Sequence, residues 1–389
     1  MKITDLQTYV VAERAKHMGR VPWVFVRIDT DEGISGWGEA GCRANGVAGS
    51  VAQALDVLRT ELIGRPAIDI EHIWHNIYHR YTYFGSRGFG TAIAAGVDIA
   101  LWDIAGKATG RPIYDLLGGR FRPTVPLYSN VWFDESCTSP ETYAAAAKEY
   151  LVGLNHSACK LDPFREMRQY HSVAHNGQIS QAGEQAGYDI VAAVREVVGP
   201  QHEILIDAHG HYDVPTAIRL ANNLYEQSNI GWFEEPVASE SMEGLRAVRE
   251  HTAAPICVGE RLFTRYDFVP VLQNRLADYI MPDTIWTGGI TEMRKIASMA
   301  EVYDIPLAPH VVPGGPLELI AAAHAMITIP NFYRLEHAHH LIATHNEMLT
   351  EPYVIENGEL LLNGKPGLGY EMDEDWLAAH AIEPHEAVR

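Results

Sequence analysis

The stretch Glu203-Ile-Leu-Ile-Asp207-Ala-His209-Gly-His211 ends an apolar run abruptly in one carboxylate and two imidazoles. A short buried strand that releases such groups at its C-terminal end builds a site better than it builds a core. Two more acidic strand ends follow, Gly231-Trp-Phe-Glu234 and Ile256-Cys-Val-Gly-Glu260. Asp207 to Glu234 is 27 residues and Glu234 to Glu260 is 26, close to one strand-plus-helix unit each. Successive parallel strands set such residues side by side, and three converging carboxylates suit a hard divalent cation. One acid alone reads as the cap of the helix after its strand; three in register read as ligands.

Outward from that stretch, short apolar strands alternate with amphipathic helices. The strands are Val125–Asn130, Ser157–Leu161, Glu203–Asp207, Gly231–Glu234, Ile256–Gly259, Tyr279–Met281, Leu307–Pro309 and Phe332–Glu336. Helices fall between most of them, among them Pro215–Gln227, Ser241–His251 and Thr291–Tyr303. Eight strands with intervening helices predict an α/β fold of the (β/α) barrel kind. A doubly wound open sheet would gather its polar residues at one switch point, whereas here they end strands all around the series. The interval from Lys160 to Asp207 is 47 residues, so 163–178 is expected to be an extended loop over the catalytic face.

Upstream, Ile3–Val11 and Trp23–Asp29 read as antiparallel strands, and Asp31-Glu32-Gly33 turns into Ser35-Gly-Trp-Gly-Glu-Ala40. Val51–Leu62 and Ile70–Tyr81 are helical. The Gly-rich link Tyr83–Gly90 lacks the Lys-Ser/Thr of a phosphate-binding loop and leads into a long helix, Thr91–Thr109. The division expected is an N-terminal α+β domain over 1–122, a barrel over 123–342 and a C-terminal segment over 343–389. That segment carries a strand pair, Tyr353–Ile355 with Glu359–Leu362, and is expected to pack back on the N-terminal domain.

The 389 residues are 47% hydrophobic, ample for a large core. Thirty basic against 50 acidic residues give a formal charge of −20, which argues against nucleic acid or an anionic membrane as partner. An anionic small substrate remains compatible, since a bound cation reverses the local field. Cys42, Cys137, Cys159 and Cys257 form no metal-ligand spacing, and two lie in strand-like runs, as reduced core thiols do. The first residues, Met-Lys-Ile-Thr-Asp-Leu, contain no apolar leader, and no uninterrupted apolar run of spanning length occurs, so a cytoplasmic chain is expected.

Every strand end from the second to the eighth offers a reactive group: Lys160-Leu-Asp162, Asp207 with His209 and His211, Glu234-Glu235, Glu260-Arg261, Asp283, His310 and Glu336-His337. Asp283 and His310 are 27 residues apart, one unit, so they are expected to be neighbours. A carboxylate beside an imidazole orients it and raises its basicity, as a general base needs. Nineteen histidines make most of them structural; His211, His337, His339 and His340 are left outside the mechanism.

The series Lys160-x-Asp162, Asp207-x-His209, Trp232-Phe-Glu-Glu-Pro236, Gly259-Glu260, Pro282-Asp283-x-x-x-x-Gly-Gly-Ile-Thr291 and Pro309-His310 resembles the enolase superfamily, mandelate racemase subgroup. The likeness extends to Asp98-Ile-Ala-Leu-Trp-Asp-Ile-Ala-Gly-Lys107. It implies a modified (β/α)7β TIM-type barrel, with an N-terminal α+β capping domain completed by the C-terminal segment. It further implies Asp207, Glu234 and Glu260 as ligands of one Mg²⁺, Asp283 and His310 as the dyad, and Glu336 as the acid on the enolate side of the substrate. Members of the subgroup abstract the proton alpha to a carboxylate.

His209, two residues after the first ligand, resembles the acid-sugar dehydratases of the D-galactonate type, as does Val258-Gly-Glu-Arg-Leu-Phe-Thr-Arg265-Tyr-Asp-Phe. There this histidine protonates the departing 3-hydroxyl. The chain departs from the subgroup where Lys-x-Lys would stand at the second strand; Asp162 replaces the second lysine. His310 is then the expected base, with Lys160 neutralising the substrate. Mannonate dehydratases share Asp-x-His but lack the dyad. The expected reaction is dehydration of an aldonic-type acid to a 2-keto-3-deoxy acid, in a homo-oligomer that the family often builds as an octamer. Asp162, together with Tyr83, Arg87 and Arg20 of the capping domain, is expected to bind substrate; Arg20 lies in a loop spanning Arg14–Pro22. An epimerase, racemase or cycloisomerase using the same enediolate is the alternative, and a silent sugar-acid-binding protein the rival from another class.

Overall fold

A computed structural model describes residues 1–15, 19–42, 47–130, 137–168, 175–311 and 313–383. It opens with a three-stranded antiparallel sheet, β1 (Ile3–Ala15), β2 (Gly19–Thr30) and β3 (Ser35–Ala40), in that order. Pairing of β1 with β2 continues out to Arg14↔Arg20 and Ala15↔Gly19. Within Arg14–Pro22, expected as a loop, the described residues 14–15 and 19–22 are therefore paired strand.

Two helices pack on this sheet, α1 (Val47–Leu62) and α3 (Thr91–Thr109), and between them in sequence α2 (Ile70–Arg80) packs on α3. Helix α3 is buried along almost its whole length. The segment Ser86–Thr109 is long and apolar enough to cross a membrane, but it is buried within the protein instead. The glycines of β3 explain how close it lies. A Cβ on Gly36 would overlap the Ala100 carbonyl oxygen, and one on Gly38 that of Gly96. Polar side chains of α3 reach in three directions. Asp98 accepts the Thr291 backbone N–H (3.0 Å) from the barrel. Asp103 accepts N–H groups from Trp37 (2.9 Å) and from Leu368 (2.8 Å) near the C-terminus. Lys107 pairs with Asp103 and Glu371.

The barrel strands are β4 (Val125–Asn130), β5 (Ala158–Leu161), β6 (Glu203–Asp207), β7 (Trp232–Glu234), β8 (Ile256–Val258), β9 (Tyr279–Ile280) and β10 (Leu335–Ala338). They pair in parallel from β4 to β9 in chain order, and β10 closes the ring on β4. The seventh place is held by single bridges, Leu307 to Ile280 and Phe332, and His310 to Asp283. Pro306 and Pro309 have no N–H to donate, so a continuous ladder cannot form there.

Alternation along the strands sets the site. Tyr128, Ala158, Leu205, Trp232, Cys257, Met281 and Ala308 form one buried cluster. Two residues onward, on the same inward face, stand Asn130, Lys160, Asp207, Glu234, Gly259, Asp283 and His310. A packed layer thus supports a polar one. The fifth strand departs from this rule: Gly259 adopts φ +145°, a conformation side chains avoid, and the turn brings Glu260 to the cluster.

After β10 the chain forms a hairpin, β11 (Val354–Glu356) and β12 (Glu359–Leu361), and β12 pairs antiparallel with the start of β4. It then crosses to the N-terminal sheet, where Ala381 bridges Val11, Ile382 donates to the Val10 carbonyl (2.9 Å) and Glu374 pairs with Arg27 (2.5 Å).

Candidate active site

Asp207, Glu234 and Glu260 are buried and offer oxygens within 4.8 Å of one another. Asp207 also accepts the His209 backbone N–H (2.9 Å), and Glu234 accepts the Trp232 indole N–H (2.9 Å) from the layer below. Burial, then the neighbouring Asp207 charge, pushes the Glu234 carboxyl well above the usual carboxylate range. Three clustered anionic oxygens in a dry site are a donor set that fits a hard divalent cation, whose charge would relieve that repulsion.

Lys160, fully buried, places its ammonium 2.7 Å from Glu234, 2.9 Å from Glu336 and 3.6 Å from Asp207. Burial by itself favours the neutral amine, but Glu234 and Glu336 outweigh it and hold Lys160 well above its ordinary range. Glu336 is steadied by the Asn130 amide (2.8 Å) and by the Val311 N–H (3.2 Å). Burial opposes its charge too, yet Lys160 and His310 keep its carboxyl below the usual value.

Asp283 and His310 meet as their spacing predicts, Oδ2 to Nδ1 at 2.8 Å. Asp283 also caps the turn Thr284–Thr287 by accepting the Trp286 N–H (2.9 Å), so it is cap and imidazole partner at once. The other ring nitrogen of His310 faces the acids, with Nε2 3.1 Å from Glu260 and 3.8 Å from Glu336. Burial favours the neutral ring, but Glu336, Glu260 and Asp283 together raise the His310 pKa. The Trp286 ring lies beside it, centroids 5.0 Å apart.

His209 has φ +53°, an uncommon backbone conformation outside glycine that marks a built turn. Its Nε2 is 3.2 Å from Asp207 and its Nδ1 3.3 Å from Asp162. Each ring nitrogen thus has a carboxylate oxygen beside it. Arg261 donates to the His209 carbonyl (2.6 Å) and lies 3.3 Å from Glu260, tying the two strand ends together.

Not every expected residue arrives. Asp162 is turned toward His209 and the Phe164 N–H (2.9 Å), so it supports the imidazole instead of lining an open substrate site. Tyr83 is 91% exposed, and Arg87 pairs at the surface with Asp267 (2.6 Å). Neither joins the cluster. The kink at Gly88 (φ +80°) instead brings Gly88 and Phe89 to the wall of a cavity of about 440 Å³ beside Glu260, lined also by Cys42, Val51, Phe263 and Trp286. The side chain of Arg20 lies outside the described residues, as do residues 169–174 of the expected cover loop. Asn130, at the end of the first strand, joins the site through Glu336 and is not among the residues expected from sequence, although its place at an apolar strand's end is a signal for it. His211 stacks on His209 (5.7 Å), and His337, buried with its charged form disfavoured by burial, sits apart from the cluster.

Two family models match the chain: the mandelate racemase / muconate lactonizing enzyme N-terminal domain over residues 6–118, and the enolase C-terminal domain-like family over 142–376. A D-galactonate dehydratase of Pectobacterium atrosepticum is 36% identical over 382 residues, 96% of this chain and 93% of its own length. A D-xylonate dehydratase of Haloferax volcanii is 31% identical over 388 residues, 98% of this chain and 89% of its own. Among solved structures, a mandelate racemase/muconate lactonizing enzyme-like protein from Rubrobacter xylanophilus superposes with a TM-score of 0.88 at 35% identity, covering 100% of this chain and 99% of that one.

Proposed function

Because the chain belongs to the mandelate racemase/muconate lactonizing enzyme group of the enolase superfamily, we propose that it dehydrates an aldonic-type acid sugar to a 2-keto-3-deoxy acid. The observation that carries this reading is the pairing of two imidazoles across one carboxylate cluster. His209 follows the third barrel strand and His310 ends the seventh, and in a ring of eight these places are opposite. Proton exchange at one carbon needs a base; elimination needs a base at C2 and an acid at C3 as well. The curated relatives named for D-galactonate and D-xylonate dehydration support the same class.

Asp207, Glu234 and Glu260 would hold Mg²⁺, which when bound supplies the positive charge that makes loss of the proton alpha to a carboxylate affordable. Lys160, paired with Glu234 and Glu336, is placed to neutralise the substrate's anionic side. His310 has its Nδ1 committed to Asp283, which leaves Nε2 to take the C2 proton. The electrons of the C2–H bond pass first into the carboxylate, giving an enediolate, and then form the C2–C3 double bond as the C3–O bond breaks. His209 gives its proton to the departing hydroxyl, which leaves as water, and the enol product tautomerises to the 2-keto acid.

Replacing His209 with asparagine tests the assignment, because asparagine tolerates positive φ and so changes chemistry with little change of backbone. Formation of keto acid from an acid-sugar library with Mg²⁺ should fall by about 10²–10⁴-fold, while C2 hydrogen still exchanges in D₂O. Loss of C2 exchange together with elimination would reverse the two roles. Exchange without loss of water in the unaltered protein would favour the epimerase alternative.

A further inference from the structure

Behind the dyad lies a group the mechanism above does not use. Glu318 is fully buried in the first turn of the helix Pro316–Met326, which packs on the turn that Asp283 caps, and its carboxyl faces that of Asp283. We infer that Glu318 is a neutral carboxylic acid that donates a hydrogen bond to Asp283, and so acts as a positioning residue for the His310 base.

Two buried carboxyls that face each other favour sharing one proton, since two anions side by side repel strongly in a dry site. Donors decide which one keeps it. Asp283 accepts from the Trp286 N–H (2.9 Å) and from His310 Nδ1 (2.8 Å), both of which favour its charged form. Among the described residues, no N–H or O–H reaches either carboxyl oxygen of Glu318. The proton therefore belongs to Glu318. The other acids facing Glu318 agree with this. Glu39, from β3, accepts the backbone N–H groups of Gly315 (2.5 Å) and of Glu318 itself (3.0 Å), and Glu336 stands on the far side of the dyad. Burial, reinforced by Asp283 and Glu39, also drives the Glu318 carboxyl well above its usual range.

The effect is to fix Asp283 without adding charge. Held by Trp286, His310 and Glu318, its carboxylate keeps His310 in the tautomer whose Nε2 lone pair faces the acids. No proton travels along the chain: His310 gains one at Nε2, Asp283 stays ionised and Glu318 keeps its own. The role rests on His310 being the C2 base.

The test compares the Mg²⁺-loaded wild type with E318Q, a neutral donor, and E318M, an apolar side chain with none. In the infrared difference between wild type and E318Q at neutral pH, a protonated-carboxyl stretch should disappear; disappearance of a carboxylate stretch overturns the inference. E318M should slow C2 exchange about ten- to a hundredfold with KM nearly unchanged, and E318Q should restore most of that loss with the acid limb of kcat/KM unmoved. An acid limb displaced to lower pH in E318Q would mean that a negative charge had been removed, and E318M behaving as wild type would mean that Glu318 only fills space. Either result overturns the proposal. Should no acid sugar exchange at C2 in any of the three, the proposed reaction fails, and the infrared band still decides where the proton sits.

Discussion

Lys160 lies within 3.6 Å of three buried carboxylates, and its removal leaves them without a counter-charge. Breaking a buried ion pair by deleting one partner costs about 3–5 kcal/mol. K160M should therefore lower the unfolding free energy of the Mg²⁺-free protein by that order, read as a lower urea midpoint, and added Mg²⁺ should recover part of it. A lysine needed only as a proton acceptor would leave the midpoint in place. At this scale register was a good guide in the sequence. Asp207, Glu234, Glu260, Lys160, Asp283 and His310 were legible because strand ends at unit spacing converge whatever the loops do. Asp162, Tyr83 and Arg87 were harder, because their direction depends on turns such as the positive-φ backbone at His209 and Gly88, which residue types reveal only weakly. Glu318 lay in an ordinary helical pattern, and nothing marks a helical glutamate as buried.

Among the elements, α3 carries the coupling between sheet, barrel and C-terminal segment. Gly38 lies against the Gly96 carbonyl, and the methyl of G38A would force β3 and α3 apart. The expected loss is about 1–3 kcal/mol, as for other overpacked cores, and chemical denaturation measures it; an unshifted midpoint would show that the two backbones have room. Asp98, on the same helix, has its carboxyl pushed up to about 7 by burial, against an ordinary 3.8. A folded-state value above the unfolded one means a stabilising contribution present in full below about pH 4 and lost as pH rises through 7. The stability of wild type relative to D98N should thus decline between pH 4 and 7, by at most about 1.4 kcal/mol per unit, and level off above. A flat difference would place Asp98 in a wetter setting. The helix Thr91–Thr109 and strand β3 were readable to the residue, since capping glycines and alternation bound them. β4 and β6 match their apolar runs to the residue, whereas β5, β7, β8 and β9 came out one residue shorter. Pro306 and Pro309 break pairing in the seventh place, and Gly259 ends the fifth by turning the chain.

For the whole molecule, a cation held only by the folded cluster should raise stability by mass action. At a hundredfold excess over Kd the gain is about 2.7 kcal/mol. Mg²⁺ should raise Tm, EDTA should reverse the rise, and D207N should abolish it; a rise that survives in D207N would locate binding elsewhere. The path of the C-terminal segment was the least legible part of the fold, because its hairpin is short and its partners are hundreds of residues away. It adds β12 to the edge of the first barrel strand, hands Leu368 to Asp103 of α3, and ends with Ile382 on Val10 of β1. One continuous core joins residues of β1 and β2 to the barrel and to Leu368, Met372 and Leu377. Neither the N-terminal sheet nor the barrel can therefore open without first releasing the segment that crosses both. Amide hydrogen exchange should find β1, β4 and the centre of α3 protected with the same opening free energy, as one cooperative foldon.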